Sequence, residues 1–234
     1  MSIFLWVPIV GGFVCFIMAY GIGANDVANS FSTAVGSKAI TLKQAVLIAS
    51  VFEFVGALMG SNVADTIRSG ITDFEEFQSI GEADILMIGM FCALLSASFW
   101  LLLATYLSLP VSTTHSIIGG IIGFVLVTKG ANAVDWSQVG LIIAFWIATP
   151  LISAIVVNII YRITRAVILR KYNSYKLVIK YWWIFIWLCL FIGLIYVFQK
   201  GLKRFDIGLT DLVSSFVALG ASFFLAILVH FLIV

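Results

Sequence analysis

Residues 2–29 of the chain read SIFLWVPIVGGFVCFIMAYGIGANDVAN. The part from Ser2 to Ala24 contains no Asp, Glu, Lys or Arg, and it is long enough for one helical crossing of a bilayer. It leads directly into Asn25, Asp26 and Asn29. An ionisable group at membrane depth costs roughly 2.5 to 3.5 kcal/mol on insertion scales, so Asp26 predicts a functional site.

The composition is that of an integral membrane protein. Hydrophobic residues make up 62% of the chain, charged residues only 10%, and the mean hydropathy is +1.16. Further stretches without charged side chains are Ile85–Leu107, Trp136–Tyr161, Tyr181–Gln199 and Leu212–Val234. Val46–Ala64 is similar but carries Glu53, and Ser116–Val127 is shorter and follows a break. We therefore predict an all-α, polytopic membrane protein with about seven hydrophobic helices, including a broken or re-entrant helical hairpin.

The distribution of charge predicts the orientation. The segment between Tyr161 and Tyr181 carries six basic side chains and no acidic one, so we expect it to be cytoplasmic. The segment from Asp65 to Asp84 is acidic and is expected outside. Counting crossings from these loops places the N-terminus outside and Val234 near the cytoplasm. We expect the protein in the plasma membrane.

The first polar cluster extends from Gly21 to Ser37. It contains three glycines, which predict backbone bends, and a dense set of amide, hydroxyl and carboxylate groups. We interpret it as a discontinuous helix of the kind that forms ion sites in transporters, because irregular backbone at membrane depth must be satisfied by protein or water. Carboxylate and amide oxygens suit a hard cation such as sodium. The alternative is a polar N-cap for a helix that begins near Asp26.

The second polar cluster, LSLPVSTTHS, covers Leu107–Ser116. Pro110 fits the first turn of a new helix, and the hydroxyls of Ser112, Thr113 and Thr114 then lie beside the free N–H groups of that turn. Such a helix N-terminus favours an anion. The alternative is that the hydroxyls bond back to carbonyls of an ordinary kinked helix.

Together these segments resemble a known family. GANDVANSFSTAVGS, then ITLKQAVLIASVFEFVGA with its single acid, then PVSTTHSIIGGIIG are similar in order and spacing to the PiT family of inorganic phosphate transporters. The resemblance is strong over about residues 10–165. The acidic loop is similar to the eukaryotic branch, whose members are generally sodium-coupled.

The resemblance implies roles for particular residues. It assigns phosphate binding to Asp26, Ser112, Thr113 and Thr114. It assigns sodium binding to Asn25, Asp26, Asn29 and Glu53. No cofactor is expected besides the co-transported sodium.

The resemblance also implies one repeat of an inverted-repeat transporter. Residues 1–165 would form this first repeat, 166–180 a basic cytoplasmic loop, and 181–234 two further transmembrane helices that lead to a second repeat. Only one set of motifs is present, so we expect a second transporter half, in the same polypeptide or a separate chain. The expected partners are inorganic phosphate, sodium ions, the lipid bilayer and a second copy in a homodimer.

We expect secondary active transport that imports phosphate with sodium by alternating access around a site at the midplane of the membrane. Proton coupling, or sodium-coupled transport of another oxyanion, uses the same parts and stays open. A channel or a membrane scaffold is a further alternative. No catalytic constellation is visible in the sequence, so enzyme activity is not expected.

Overall fold

The computed structural model describes residues 5–59, 71, 77, 82–201 and 210–233, and all regular structure in these residues is helical. The α-helices are α1 (Trp6–Gly36), α2 (Leu42–Met59), α3 (Glu82–Tyr106), α4 (Thr113–Thr128), α5 (Trp136–Thr164), α6 (Ser174–Tyr196) and α7 (Asp211–Ile233). Ala131–Ala133 forms a 3₁₀ turn, and π-helical turns extend α5 over Arg165–Leu169 and α6 over Val197–Gly201. The all-α class predicted from the sequence is confirmed.

Five of these helices are long and apolar enough to cross a membrane, namely α1, α3, α5, α6 and α7. In hydrocarbon a helix satisfies all its backbone groups internally, which is why charge-free stretches of this length become helices. The remaining two, α2 and α4, have 18 and 16 residues. At 1.5 Å per residue α4 is about 24 Å long, shorter than the roughly 30 Å of the bilayer core. The protein is an integral membrane protein.

The predicted interruption of the first helix is wrong. Helix α1 runs without a break for 31 residues, through the whole stretch from Gly21 to Gly36. Gly21 serves close packing instead of a bend, because a Cβ atom placed on it would lie 3.1 Å from Leu101 Cδ2 of α3. The alternative helix start near Asp26 is likewise absent from the described part of α1.

The break in the second cluster is present. Helix α3 ends at Tyr106 and α4 begins at Thr113, so the connection lies within the long uncharged part of the chain. The sequence predicts Pro110 in the first turn of α4, and this prediction is wrong. Pro110 lies in the connection before the helix. Ser112 has an extended backbone and is the N-cap of α4.

The described chain divides into two compact units, the first with residues 5–57, 71, 77 and 82–140 and the second with residues 58–59, 141–201 and 210–233. In the first unit, α3 packs against both α1 and α4. The core of this contact is formed by Met18, Ala97 and Leu101, against which Val111 and Ile117 pack. The sequence predicts a first repeat that ends at residue 165, and the repeat boundaries stay a prediction.

At its other end the α3–α4 hairpin is closed by an ion pair. Lys129 Nζ, after the last turn of α4, lies 2.7 Å from Glu82 Oε1 in the first turn of α3. The same ammonium lies 4.9 Å from the centre of the Phe77 ring. These contacts fix the ends of both helices together.

The second unit contains α5 from Leu141 onward, α6 and α7, and its main helix contact is between α6 and α7. Helix α7 contributes a buried row of small side chains, Ser214, Ala218, Ser222 and Ala226, at intervals of one turn. Helix α6 contributes aromatic rings to the contact, with Trp183 and Trp187 both packed on the ring of Phe223.

Several segments that carry the predicted orientation lie outside the described residues. They include most of the acidic loop between Asp65 and Asp84, part of the loop between Lys200 and Asp206, and the end at Val234. The basic segment from Arg162 to Lys180 is described, and it joins α5 to α6.

Candidate functional site

The side chain of Asn25 joins α1 to the connection between α3 and α4. It is only 6% exposed. Its Nδ2 donates hydrogen bonds to Thr105 Oγ1 at 3.2 Å and to Leu109 O at 3.0 Å. Its Oδ1 accepts from Val111 N at 3.1 Å and from Asn29 Nδ2 at 3.3 Å. Because an asparagine side chain offers two donors and two acceptor lone pairs, the hydrogen-bonding capacity of Asn25 is fully used.

The neighbouring Asp26 contacts the start of α4. Thr113 Oγ1 donates a hydrogen bond to Asp26 Oδ2 at 3.2 Å. Asp26 is half-buried, and within the described part of the chain it forms no ion pair. The carboxylate therefore lies beside the N-terminus of a helix, where an uncompensated negative charge is stabilised.

The first turn of α4 combines free backbone donors with hydroxyl groups. The N-cap Ser112 accepts a hydrogen bond from His115 N at 3.4 Å. The amides at the very start of the helix have no acceptor within it, because the carbonyls four residues earlier lie outside the helix. Thr114 is exposed on this turn. Ser116 Oγ bonds back to Ser112 O at 2.9 Å, as the alternative interpretation of the cluster expects, whereas Thr113 reaches across to α1.

The predicted site residues are not all brought together. Asn25, Asp26, Ser112 and Thr113 lie in one region where α1 meets the start of α4. Asn29 is exposed and bonds to Asn25. Glu53 is exposed on α2, and no hydrogen bond or ion pair joins it to the other site residues in the described structure. The binding roles assigned to these residues stay predictions.

Three contributors to this region were missed from the sequence. Thr105 binds Asn25 through its hydroxyl, and Leu109 and Val111 do so through their backbone. Thr105 carries a weak signal, since it is a hydroxyl near the end of an uncharged stretch. The other two carry none, because any residue type supplies a backbone N–H or C=O.

The arrangement places two kinds of group side by side. The start of α4 offers N–H donors, hydroxyls and the positive end of a helix dipole, which suit an anion. The carboxylate of Asp26 suits a cation or a proton donor. The hydrogen bond from Thr113 to Asp26 keeps the start of α4 next to the carboxylate. Together they can hold an anion and a compensating positive charge next to each other.

These features define a polytopic, all-helical membrane protein with a polar site between helices. The model of the family described as "Phosphate transporter family" matches residues 22–222. The chain belongs to this family. The family and the relatives below are transporters and not enzymes.

Similar proteins include a "Sodium-dependent phosphate transporter" of Plasmodium falciparum, 45% identical over 79% of this chain and 27% of that protein. One of the same name from Toxoplasma gondii is 42% identical over 90% of this chain and 24% of that protein. A solved structure entitled "The sodium-dependent phosphate transporter" is 38% identical with a TM-score of 0.87, over 97% of this chain and 55% of that one. The chain thus spans about a quarter of these two relatives and about half of the solved chain.

Proposed function

We propose that this chain is part of a secondary active transporter that imports inorganic phosphate by symport with sodium. The observation that supports this best is the hydrogen bond from Thr113 to Asp26, which places a carboxylate at the anion-favouring start of α4. The names of the relatives, sodium-dependent phosphate transporters, agree with it.

The charge of the site gives the coupling its physical reason. A phosphate dianion beside Asp26 is repelled unless a positive charge lies between them. No Lys or Arg is present between Gly21 and Ser37 or between Leu107 and Ser116, so the helix dipole, the hydroxyls and a co-bound cation must supply the compensation. Sodium then completes the phosphate site, and neither ion binds well without the other.

Asp26 also explains how phosphate is chosen over sulfate. In this proposal its carboxylate accepts a hydrogen bond from a protonated phosphate oxygen. Sulfate has no such proton at neutral pH, so it leaves two negative charges facing each other. When the anion binds, Ser112 and Thr114 donate to its remaining oxygens, and the single hydroxyl hydrogen of Thr113 turns from Asp26 to the anion.

Transport requires the rest of the polypeptide or a second chain. Alternating access comes from two repeats that move around the site at the midplane of the membrane. The proposed orientation has the N-terminus outside and the basic segment after α5 in the cytoplasm of a cell bounded by the plasma membrane.

The test is phosphate uptake by the full-length protein in proteoliposomes, with sodium and pH gradients imposed separately. Uptake should require the sodium gradient. If a pH gradient alone drives it, the coupling ion is a proton and the sodium sites are wrong. If sulfate or arsenate is taken up as well as phosphate, the substrate class is broader than proposed.

A variant tests the role of Asp26. Asp26→Asn should lower phosphate uptake by at least about tenfold, since it removes a charged hydrogen-bond acceptor, and should abolish the preference for phosphate over sulfate. Asp84→Asn is the matched control, because it makes the same chemical change at an exposed position in the first turn of α3 and should leave uptake unchanged. An Asp26→Asn protein that keeps its preference for phosphate refutes this role.

A further inference from the structure

A basic pocket lies at the end of α5, outside the region described above. Its volume is about 490 Å³, and it is lined by Asn158, Tyr161, Arg162, Arg165, Ala166 and Arg170. All three arginines are exposed. The pocket therefore presents several guanidinium groups to whatever lies next to this end of the helix.

The position of the pocket is at a membrane surface. From Trp136 to Tyr161 the helix is about 39 Å long at 1.5 Å per residue, enough to cross the hydrocarbon core. Both ends of this stretch carry an aromatic residue that is typical of the interface. Arg162, Arg165 and Arg170 follow directly, so they lie at the level of the lipid headgroups.

The backbone explains why the three arginines share one pocket. Arg162 and Arg165 are three residues apart on α5 and so lie on the same face. The chain then forms a π-helical turn, in which Arg170 N donates to Arg165 O at 3.0 Å. This wider turn closes over five residues and brings Arg170 above Arg165, whereas five residues of an α-helix would place them on different faces.

The guanidinium groups are available for a ligand. Arg162 Nε donates to Asn158 Oδ1 at 2.8 Å, which orients its guanidinium, and its terminal nitrogens have no hydrogen-bond partner in the part of the chain that the structure describes. Within the described residues, Arg165 and Arg170 form no side-chain hydrogen bond or ion pair. The whole segment between Tyr161 and Tyr181 contains no acidic side chain that could neutralise them.

We propose that this pocket binds the phosphate group of an anionic lipid headgroup. The planar fork of an arginine matches two phosphate oxygens at once, and three arginines that line one pocket suit a phosphate monoester better than a zwitterionic headgroup. The cytoplasmic leaflet is rich in anionic lipid, which agrees with the basic charge of this segment. The pocket shares no residue with the region around Asp26, and the proposal does not depend on the transport function.

The test is native mass spectrometry of the full-length protein in detergent, titrated with phosphatidic acid, phosphatidylcholine and inorganic phosphate in separate experiments. Phosphatidic acid should bind in preference to phosphatidylcholine. In a variant with Arg162→Gln, Arg165→Gln and Arg170→Gln its affinity should fall by about tenfold or more, since each charged hydrogen bond contributes about that factor. Binding of inorganic phosphate with no preference for the lipid would overturn the lipid assignment.

The matched control removes the same number of charges from the same segment outside the pocket. A variant with Lys171→Gln, Lys176→Gln and Lys180→Gln should lose clearly less affinity. Equal losses in the two variants would mean that the lipid responds to overall charge only, and the pocket would have no specific role.

A second variant applies if the arginine-to-glutamine protein does not fold. Replacing the same three arginines with lysines keeps the charge but removes the planar fork. Its affinity for phosphatidic acid should fall by several-fold, and an unchanged affinity would overturn the proposal.

Discussion

The contacts of α3 with α1 and α4 differ in kind from the contact between α6 and α7. In the first case a buried amide, Asn25, bonds across helices to side-chain and backbone groups. In the second, rings of α6 pack on α7, with Trp187 and Phe223 at 6.0 Å and nearly perpendicular. Two buried polar atoms there, Trp187 Nε1 and His230 Nδ1, have no hydrogen-bond partner among the described residues.

The two contacts also differ in how they use glycines. Hydroxyls bond back to their own helix in both contacts, as Ser98 Oγ does to Leu94 O on α3 and Ser222 Oγ to Leu219 O on α7. Near the end of the α6–α7 pair, Gln199 Nε2 donates to Asp211 O at 3.3 Å and to Ser215 Oγ at 3.0 Å. A Cβ on Gly89 of α3 would clash with the Phe124 ring at 2.0 Å, whereas one on Gly193 of α6 would meet nothing within 4 Å.

The comparison shows which contacts specify the geometry of the helices. Hydrogen bonds across helices fix one register, because the donor and acceptor must coincide, and they do so next to the candidate site. Ring packing against small side chains contributes buried area but tolerates small shifts. The polar contacts are therefore expected to be the more sensitive to substitution.

The largest effect is expected for Asn25→Ala. Three hydrogen bonds between helices, at about 0.6 kcal/mol each, are lost, and the backbone groups of Leu109 and Val111 are left without partners, so the cost is about 3 kcal/mol. The measurement is the free energy of unfolding of the full-length protein by denaturant titration in detergent. Asn29→Ala is the control, since Asn29 is exposed and makes a single side-chain bond within its own helix. Equal costs for the two variants would remove the special position of Asn25.

A smaller effect is expected for Gly89→Ala. The added methyl group must displace the buried Phe124 ring, and overpacking of this kind costs about 2 kcal/mol. Gly193→Ala on α6 should be neutral or stabilise by up to about 1 kcal/mol through helix propensity. The same unfolding experiment decides between them. If both variants behave alike, close helix approach does not distinguish the two contacts.

The smallest effect is expected for Trp187→Phe. The change removes an indole N–H that has no partner among the described residues, so the loss of packing is partly offset and the net cost is below about 1 kcal/mol. Trp183→Phe in the same helix contact serves as the comparison. A cost above about 2 kcal/mol for Trp187→Phe would show that its Nε1 is hydrogen-bonded in the full-length protein, and the contrast with Asn25 would weaken.

Much of the helical fold was predictable from single stretches of sequence. The uncharged stretches Ile85–Leu107 and Trp136–Tyr161 correspond to α3 and α5 within a few residues. The break between α3 and α4 in the second cluster was also predictable, because Pro110 and the hydroxyl residues after it do not favour continuing the first of these helices. The hydrogen bond between Thr113 and Asp26 joins the two polar clusters, and the binding roles of their residues stay predictions.

The sequence was misleading where one residue type has two uses. Glycine permits a bend, and it equally permits two helices to approach closely, so the three glycines between Gly21 and Gly36 wrongly predicted a break. Asn25 was predicted as a cation ligand on the strength of its oxygen. In the structure both lone pairs of that oxygen accept hydrogen bonds, and whether it also contacts sodium stays a prediction.

The uncharged stretches and the two polar clusters were enough to identify a helical membrane protein with polar groups at two defined places. This is because a bilayer forces each spanning segment to satisfy its own backbone, which makes helix formation a local property. Which polar groups meet follows from the packing of the helices. Asn25 finds its partners 80, 84 and 86 residues further along the chain, and such pairings depend on how helices pack and not on the residues that lie next to each other in sequence.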